Sequence, residues 1–362
     1  MCVLHQTSIG FSRSRYYTGS TQQVRLDIFY RKEAEMNKAI RIAQTGGPEV
    51  MQLMDVAIGT PGAGEVCIQH KACGLNFIDV YHRTGLYKQL LPTGLGVEGA
   101  GIVEAVGPDV HHVKVGDRVA YAGGPPGAYA QRRIMPASVL VKLPDSISFD
   151  VAAAVMLQGL TVQYLFCRTY KIQSGQTILF HAAAGGVGLL ACQWAKALGV
   201  TMIGTVGSAA KAALAKANGC AHVINYNEEN FVERVEEITA GRGVSVVYDS
   251  IGKDTFFGSL DCLSPLGTMV SFGNASGPVP DFNLSELASR GSLFITRPSM
   301  MHYTAVRSDL EQMAAELFAM IETKKLIVHI NQRYALADVG KAHRELEARK
   351  TTGCSILIPD AS

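Results

Sequence analysis

Apolar residues recur along this chain with two different periods, and the change of period divides it. Residues 36–147 carry short runs that alternate apolar and polar positions, among them AIRI, QLMDVAI, EVCIQHKAC, GAGIVEAVG, GDRVAYAG and AYAQRRIM. Glycine and proline turns break these runs about every ten residues, the texture of a small β-barrel. Residues 148–170 then read as alanine- and leucine-rich helix with Ser148 as its cap, interrupted at Gly159, and mark the passage between two domains. From Thr177 onward strands and helices alternate: TILF, the helix after the glycine turn, VTMIGT, SAAKAALAKAN, HVINY, NFVERVEEIT, VSVVYD, TFFGSLDCL, TMVSFG and SLFIT. Strands separated by one helix each need crossover connections, which predicts a parallel, doubly wound sheet.

The tail returns to a mixed pattern, with a long helix at residues 309–326, a strand at 330–336, a charged helix at 338–349 and a terminal apolar strand at 354–359. That last strand has no place in a parallel sheet and is assigned back to the β-rich domain. The expected organisation is therefore discontinuous, with residues 36–158 and 298–362 enclosing a nucleotide-binding domain at 159–297. Residues 1–35 lack sustained periodicity and carry arginines with no acid before Asp27. They are read as a poorly ordered extension, arising from an upstream start codon or as a tail; a transit peptide fits the composition but lacks its amphipathic helix.

The most informative stretch is the turn Ala183, Ala184, Gly185, Gly186, Val187, Gly188. It lies between a buried strand and an amphipathic helix and matches a dinucleotide fingerprint with alanine at the first glycine. Gly185 would let backbone approach a pyrophosphate, Gly188 would let helix and sheet pack closely, and the helix N-terminus offers free N–H groups. The second strand normally ends in an acid that holds the ribose of NAD. Here it ends Gly204, Thr205, Val206, Gly207, Ser208, with Lys211 just beyond. A serine hydroxyl and a lysine without an acid suit a 2′-phosphate, at about 1.5–3 kcal/mol for each charge-assisted hydrogen bond, and predict NADPH.

Composition narrows the partners. In 362 residues the net charge is +2, with 48% hydrophobic and 18% charged residues, so a nucleic-acid surface, which needs a clustered basic face, is disfavoured. The longest nearly uncharged run is broken by glycines and too short to span a bilayer. None of the 8 cysteines forms a C-x-x-C pair, the usage of reduced thiols in a cytoplasmic protein.

Several further motifs occur in a fixed order: NFID at 76–79, GVEGAG at 96–101, GDRV at 116–119, QGLT at 158–161, VINY at 223–226, YDSIG at 248–252 and SFGN at 271–274. Together with the glycine turn they resemble the zinc-less quinone oxidoreductases, the zeta-crystallin-like branch of the medium-chain dehydrogenase/reductases, from Met36 to the C-terminus. The resemblance implies a GroES-like β-barrel catalytic domain with an inserted Rossmann-type domain. It implies that Asn76 and Thr161 lie by the nicotinamide, that Gly185, Gly186 and Val187 hold the pyrophosphate, and that Ser208, Lys211, Tyr226 and Arg349 surround the 2′-phosphate. Phe272, Gly273 and Asn274 would border the nicotinamide half, and Tyr81 and Tyr87 the substrate cleft, where packing is the competing role for both tyrosines.

Zinc-dependent relatives carry a cysteine at the position of Asn76, a histidine at Val97, and a four-cysteine lobe where this chain has only YAGGPPGAY. Catalytic zinc needs three N, S or O ligands, and Asn76 and Val97 supply none worth the name. His111, His112 and His181 have no ligand spacing. An acceptor that needs little polarisation is therefore expected: a quinone, taking a hydride or single electrons, or, as the alternative, the activated C=C bond of an enone or enal. The proton donor is left open between water and a cleft tyrosine. A non-catalytic RNA-binding or structural role is the reading from another class, and the charge balance weighs against it. The apolar strand at residues 292–296 would be the last of the parallel sheet, an edge suited to pairing in a homodimer.

Overall fold

The computed structural model describes residues 36–360; the extension expected at residues 1–35 lies outside them. The β-rich half begins with β1 (Met36–Ile42), β2 (Gln52–Ala57) and β3 (Glu65–Leu75), followed by helix α1 (Phe77–Thr84). It continues with β4 (Thr93–Gly94), β5 (Glu98–Val106), β6 (Arg118–Ala122), β7 (Arg132–Pro136) and β8 (Val141–Lys142). Helix α2 (Phe149–Tyr164) leads to the alternating region: β9 (Thr177–Phe180), α3 (Gly186–Ala197), β10 (Thr201–Val206), α4 (Ala209–Ala217), β11 (His222–Asn225), α5 (Phe231–Thr239), β12 (Val244–Asp249), α6 (Phe256–Asp261), β13 (Leu263–Ser271), α7 (Ser285–Ser289) and β14 (Phe294–Thr296). The tail comprises α8 (Met300–Tyr303), α9 (Arg307–Glu322), β15 (Ile330–Ala335), α10 (Val339–Glu347) and β16 (Cys354–Ile358).

The alternating strands form one parallel six-stranded sheet in the order β11-β10-β9-β12-β13-β14, the doubly wound arrangement that strand–helix alternation dictates. The β-rich half forms a three-stranded sheet, β2-β1-β4, and a larger one running β15-β16-β3-β5-β6-β8 with β7 also on β3. The C-terminal strand β16 lies antiparallel to β3, Ser355 opposite Leu75 and Leu357 opposite Cys73, so the two ends of the chain share a sheet. The fold class is thus α/β, a GroES-like β-rich unit with a Rossmann-type sheet.

Two local expectations need correction. Helix α2 is not interrupted at Gly159: it runs unbroken from its cap, where the Ser148 hydroxyl accepts from the Val151 N–H at 3.3 Å, and ends in a π-helical turn at Leu165–Thr169. Glycine costs a helix interior about 1 kcal/mol, but a Cβ at residue 159 would lie 2.5 Å from the Leu317 side chain of α9. Its absence permits the close crossing of two core helices, and packing outweighs propensity. Taken together with that π-helical turn, Phe149–Thr169 is also the one described helix long and apolar enough to cross a membrane, and 78% of its most apolar window is buried inside the protein. The second correction is α1, which interrupts the β-rich stretch. Its signals were present: the Asp79 carboxylate reaches back to the Asn76 N–H at 2.9 Å as a capping box, and Gly85 closes the helix at φ 84°.

The alanine in the glycine turn also has a local explanation. The left-handed residue is Ala182, φ 57°, so position 183 tolerates a side chain. The Ala183 methyl faces Gly204, where a Cβ would come within 2.5 Å of it. The close approach that a glycine at 183 would permit is moved to the neighbouring strand β10.

Candidate active site

A cavity of about 640 Å³ runs along the C-terminal ends of the parallel strands and reaches the β-rich half through β3, α1 and β16. That is where ligands sit in open α/β sheets. Three groups of residues line it.

The first group is the glycine turn and the start of α3, from Ala184 through Gly188. The N-cap is Gly185, whose lack of a side chain leaves the first N–H groups of α3 without a side-chain cap. A Cβ on Gly186 would collide with the Gln158 carboxamide, and one on Gly188 with the Ala182 carbonyl. The turn therefore presses on helix α2 and on its own strand, leaving backbone donors facing the cavity.

The second group is basic. Lys211 and Arg349 both line the cavity, and the Lys211 ammonium donates to the Arg349 backbone carbonyl at 2.7 Å. Burial, aided by the neighbouring Arg349 charge, holds Lys211 below the ordinary lysine value. Among the described residues neither cation is paired with a carboxylate in a salt bridge, so the two positive charges stand together at the cavity wall. Tyr226 completes the group, with its hydroxyl so close to Gly207 that a Cβ there would lie 2.5 Å away.

The third group is aromatic. Phe77, Tyr81, Tyr87 and Tyr164 line the cavity, with Tyr81 and Tyr87 edge to face at 5.1 Å between ring centroids. The Tyr81 hydroxyl accepts from the Asn274 N–H at 2.9 Å, and the Tyr87 hydroxyl from the Arg297 guanidinium at 3.2 Å. Arg297 also donates to the Gly273 carbonyl and the Ser271 hydroxyl, each at 2.9 Å. Burial raises the Tyr81 hydroxyl to about 12. Each of these hydroxyls receives a hydrogen bond and keeps its own hydrogen free to donate.

The cavity brings together Asn76, Tyr81, Tyr87, Thr161, Gly185, Gly186, Val187, Gly188, Lys211, Tyr226, Phe272, Gly273 and Arg349. Ser208 and Asn274 stand apart from the lining. The Ser208 hydroxyl accepts from the Lys211 backbone N–H at 3.3 Å, capping α4, and Asn274 contributes its backbone to Tyr81. Thr161 donates its hydroxyl hydrogen to the Leu157 carbonyl within α2 at 2.7 Å, so its oxygen is left to act as an acceptor. Among the lining residues that sequence reasoning missed, two make polar contacts that organise the site. Arg297 directly follows β14, and a charged residue at the carboxyl end of a parallel strand was the available signal. Gln158 lies within the QGLT motif, but its contacts with Asn76, at 3.1 Å, and with Cys354 join distant parts of the chain.

His181, which has no ligand spacing in sequence, lies fully buried at the floor of the cavity. Its ring nitrogens meet the hydroxyls of Thr205 and Ser259, both at 2.9 Å, and Ser259 donates to Asp249 at 2.9 Å. Burial lowers the imidazole below its ordinary value. Here serine stands between histidine and acid, so the set ties strands β9, β10 and β12 to α6 rather than activating a nucleophile.

Comparison with known proteins agrees with this geometry. A model of the alcohol dehydrogenase GroES-like domain matches residues 62–145, and one described as zinc-binding dehydrogenase matches residues 186–319. The chain is 55% identical over 325 residues to a quinone oxidoreductase of Pseudomonas aeruginosa, covering 90% of this chain and 100% of that protein. It superimposes with a TM-score of 0.88 on the crystal structure of Escherichia coli quinone oxidoreductase complexed with NADPH, at 50% identity over 89% of this chain and 100% of that one. A 2-haloacrylate reductase of a Burkholderia species is 43% identical, covering 90% of this chain and 100% of that protein. The chain belongs to the quinone oxidoreductases, the zeta-crystallin-like branch of the medium-chain dehydrogenase/reductase superfamily.

Proposed function

We propose that the cavity binds NADPH and that the protein is an NADPH-dependent quinone reductase working without a metal ion. The observation that carries this is the continuity of one cavity from the uncapped N-terminus of α3, past the cation pair Lys211 and Arg349, to the aromatic chamber at Tyr81 and Tyr87. The residues fit the cofactor: Gly185–Gly188 offer backbone donors to a pyrophosphate, and Lys211, Arg349 and Tyr226 offer charge and a hydroxyl to a 2′-phosphate. Asn76, Thr161 and the segment Phe272, Gly273, Asn274 are proposed to border the nicotinamide, with Ser208 supporting Lys211 through the cap of α4.

When bound, NADPH supplies a hydride from C4 of its nicotinamide. The chain contributes orientation and a dry, largely apolar chamber, the terms that matter for an acceptor needing little polarisation. Tyr81 and Tyr87 donate hydrogen bonds to the quinone oxygen on which charge develops, and Arg297 adds a positive field beside it. Tyr81 holds its proton more tightly than a free phenol does, which suits a hydrogen-bond donor and leaves final protonation to solvent.

A second reading, reduction of an activated C=C bond, is favoured by the 43% identity to a 2-haloacrylate reductase. Steady-state NADPH oxidation with 1,4-benzoquinone, simple enones and 2-haloacrylates separates the two. A quinone kcat/KM well above the others is expected, and a large preference for an alkene would replace the first reading by the second. We further propose a division into domains at residues 36–158 with 298–362 and at 159–297, a cytoplasmic homodimer joined through β14, and no membrane or nucleic-acid partner. The apolar, exposed edge strand supports the dimer: Phe294 is 60% exposed.

A further inference from the structure

We infer that Glu98 is a positioning residue, whose carboxylate fixes which end of the Asn76 side-chain amide faces it and so which hydrogen-bonding group Asn76 offers to the cleft. The inference rests on the proposed place of Asn76 beside the nicotinamide.

Glu98 is wholly buried, 0% exposed, and is absent from the cavity lining, so it can act only through a neighbour. Its two oxygens are both engaged: Oε1 accepts from the Leu157 backbone N–H at 2.7 Å and Oε2 from Asn76 Nδ2 at 2.6 Å. The Asn76 carbonyl accepts from Gln158 Nε2 at 3.1 Å, and the Gln158 carbonyl accepts from the Cys354 thiol at 3.0 Å. Every hydrogen in this chain of side chains points the same way, from Cys354 through Gln158 and Asn76 to Glu98.

That direction is not a matter of shape. The two ends of an amide have nearly the same outline, so neighbours decide which is N and which is O. A carboxylate only accepts, and the Leu157 N–H only donates. Ionised Glu98 must therefore receive hydrogens on both sides, which turns the Asn76 nitrogen towards it and leaves the second Nδ2 hydrogen for a group in the cleft. The fold makes room for this carboxylate: a Cβ on Gly74 would collide with Glu98 Oε2. A buried carboxyl is costly where packing alone is needed.

The ionisable groups facing Glu98 are Cys73 on β3, Asp79 on α1, Tyr121 on β6, Tyr129 in the segment before β7, and Cys354 on β16; helix α2 presents backbone N–H groups. Burial raises the Glu98 carboxyl to about 8 and Asp79 to about 7. The accepting form of Glu98 is thus fully present on the alkaline side. A protonated Glu98, or a glutamine there, becomes a donor and reverses the chain, presenting a different Asn76 atom to the cleft.

The test is a double-mutant cycle on the whole enzyme with 1,4-benzoquinone as acceptor. At about pH 9, Glu98→Gln should lower kcat about 10-fold while the NADPH Kd stays within about twofold, because geometry is lost and cofactor binding is not. In an Asn76→Ala background the same substitution should have no further effect, and kcat of the unmutated enzyme should fall towards the Glu98→Gln level below about pH 8. An unchanged kcat in Glu98→Gln, or an equal loss in both backgrounds, overturns the positioning role while leaving the site reading intact. An unchanged kcat in Asn76→Ala removes Asn76 from the site and overturns both. Should Glu98→Gln fail to fold, neutron diffraction from unmutated crystals at about pH 9 decides: Asn76 nitrogen facing Glu98 is expected, and oxygen facing it overturns the inference.

Discussion

The Tyr81 hydroxyl accepts a 2.9 Å hydrogen bond from the backbone N–H of Asn274, although 193 residues separate them. One contact thereby links α1 of the β-rich half to the loop that follows β13 of the parallel sheet. Tyr81→Phe should leave that N–H unpaired and remove a donor from the chamber. We expect kcat/KM for quinone to fall about 10-fold or more, equivalent to roughly 1.4 kcal/mol or more. NADPH affinity should change much less. Stopped-flow and fluorescence titration check the two, and an unaltered kcat/KM would reduce Tyr81 to a packing residue.

The preference for a phosphorylated cofactor should reside in two side chains. Replacing Lys211 by alanine is expected to weaken NADPH binding by roughly 1.5–3 kcal/mol, about 10- to 100-fold, with little effect on NADH. Arg349→Ala should act in the same direction. Isothermal titration with both dinucleotides reads the difference, and a parallel loss for NADH would place the lysine elsewhere on the cofactor.

Stability should pass through a maximum on the mildly acidic side of neutrality. Burial lowers His70 and His343 from 6.5 to about 3, so the fold holds them neutral and loses stability as pH falls below 6.5, where the unfolded chain takes up protons. His181 and His82 shift the same way. Asp79 and Glu98 are raised by burial to about 7 and about 8; the fold holds them protonated and loses stability as pH rises from their ordinary values, 3.8 and 4.5, through those points. Acid and base effects oppose each other up to 6.5, and above it the carboxyls act alone. Thermal unfolding should therefore show Tm highest near about pH 6 and declining to about pH 8, by at most about 1.4 kcal/mol per group per pH unit. Glu98→Gln should flatten the alkaline limb; a limb unaffected by that change would assign it to other groups.

Assembly can be tested at the sheet edge. Phe294 projects from β14, which among the described residues pairs only with β13. A lysine there should shift a homodimer towards monomer in sedimentation at micromolar concentration, while activity per chain is retained. A monomeric unmutated protein would dispose of the dimer.

The alternation of strands and helices made the parallel sheet readable in the sequence, because period alone separates the two elements and crossover connections then leave few topologies. The glycine turn and the acid-free end at Gly207 were readable for a similar reason: their chemistry lies within a few consecutive residues. The capping box of α1 was equally local and was masked by the β texture around it. What the sequence could not determine depends on groups that meet only after folding. Gly159 looked like a helix breaker until Leu317 of α9 was seen to occupy the space a Cβ would need. That the Ser208 hydroxyl also caps α4, accepting from the Lys211 N–H, is such a contact. Arg297, Gln158 and Glu98 stand in or beside readable motifs, but their roles come from partners drawn from remote strands and helices. Local covalent preference and periodicity thus determined the elements, while three-dimensional packing decided which polar atoms remain free to face the cleft.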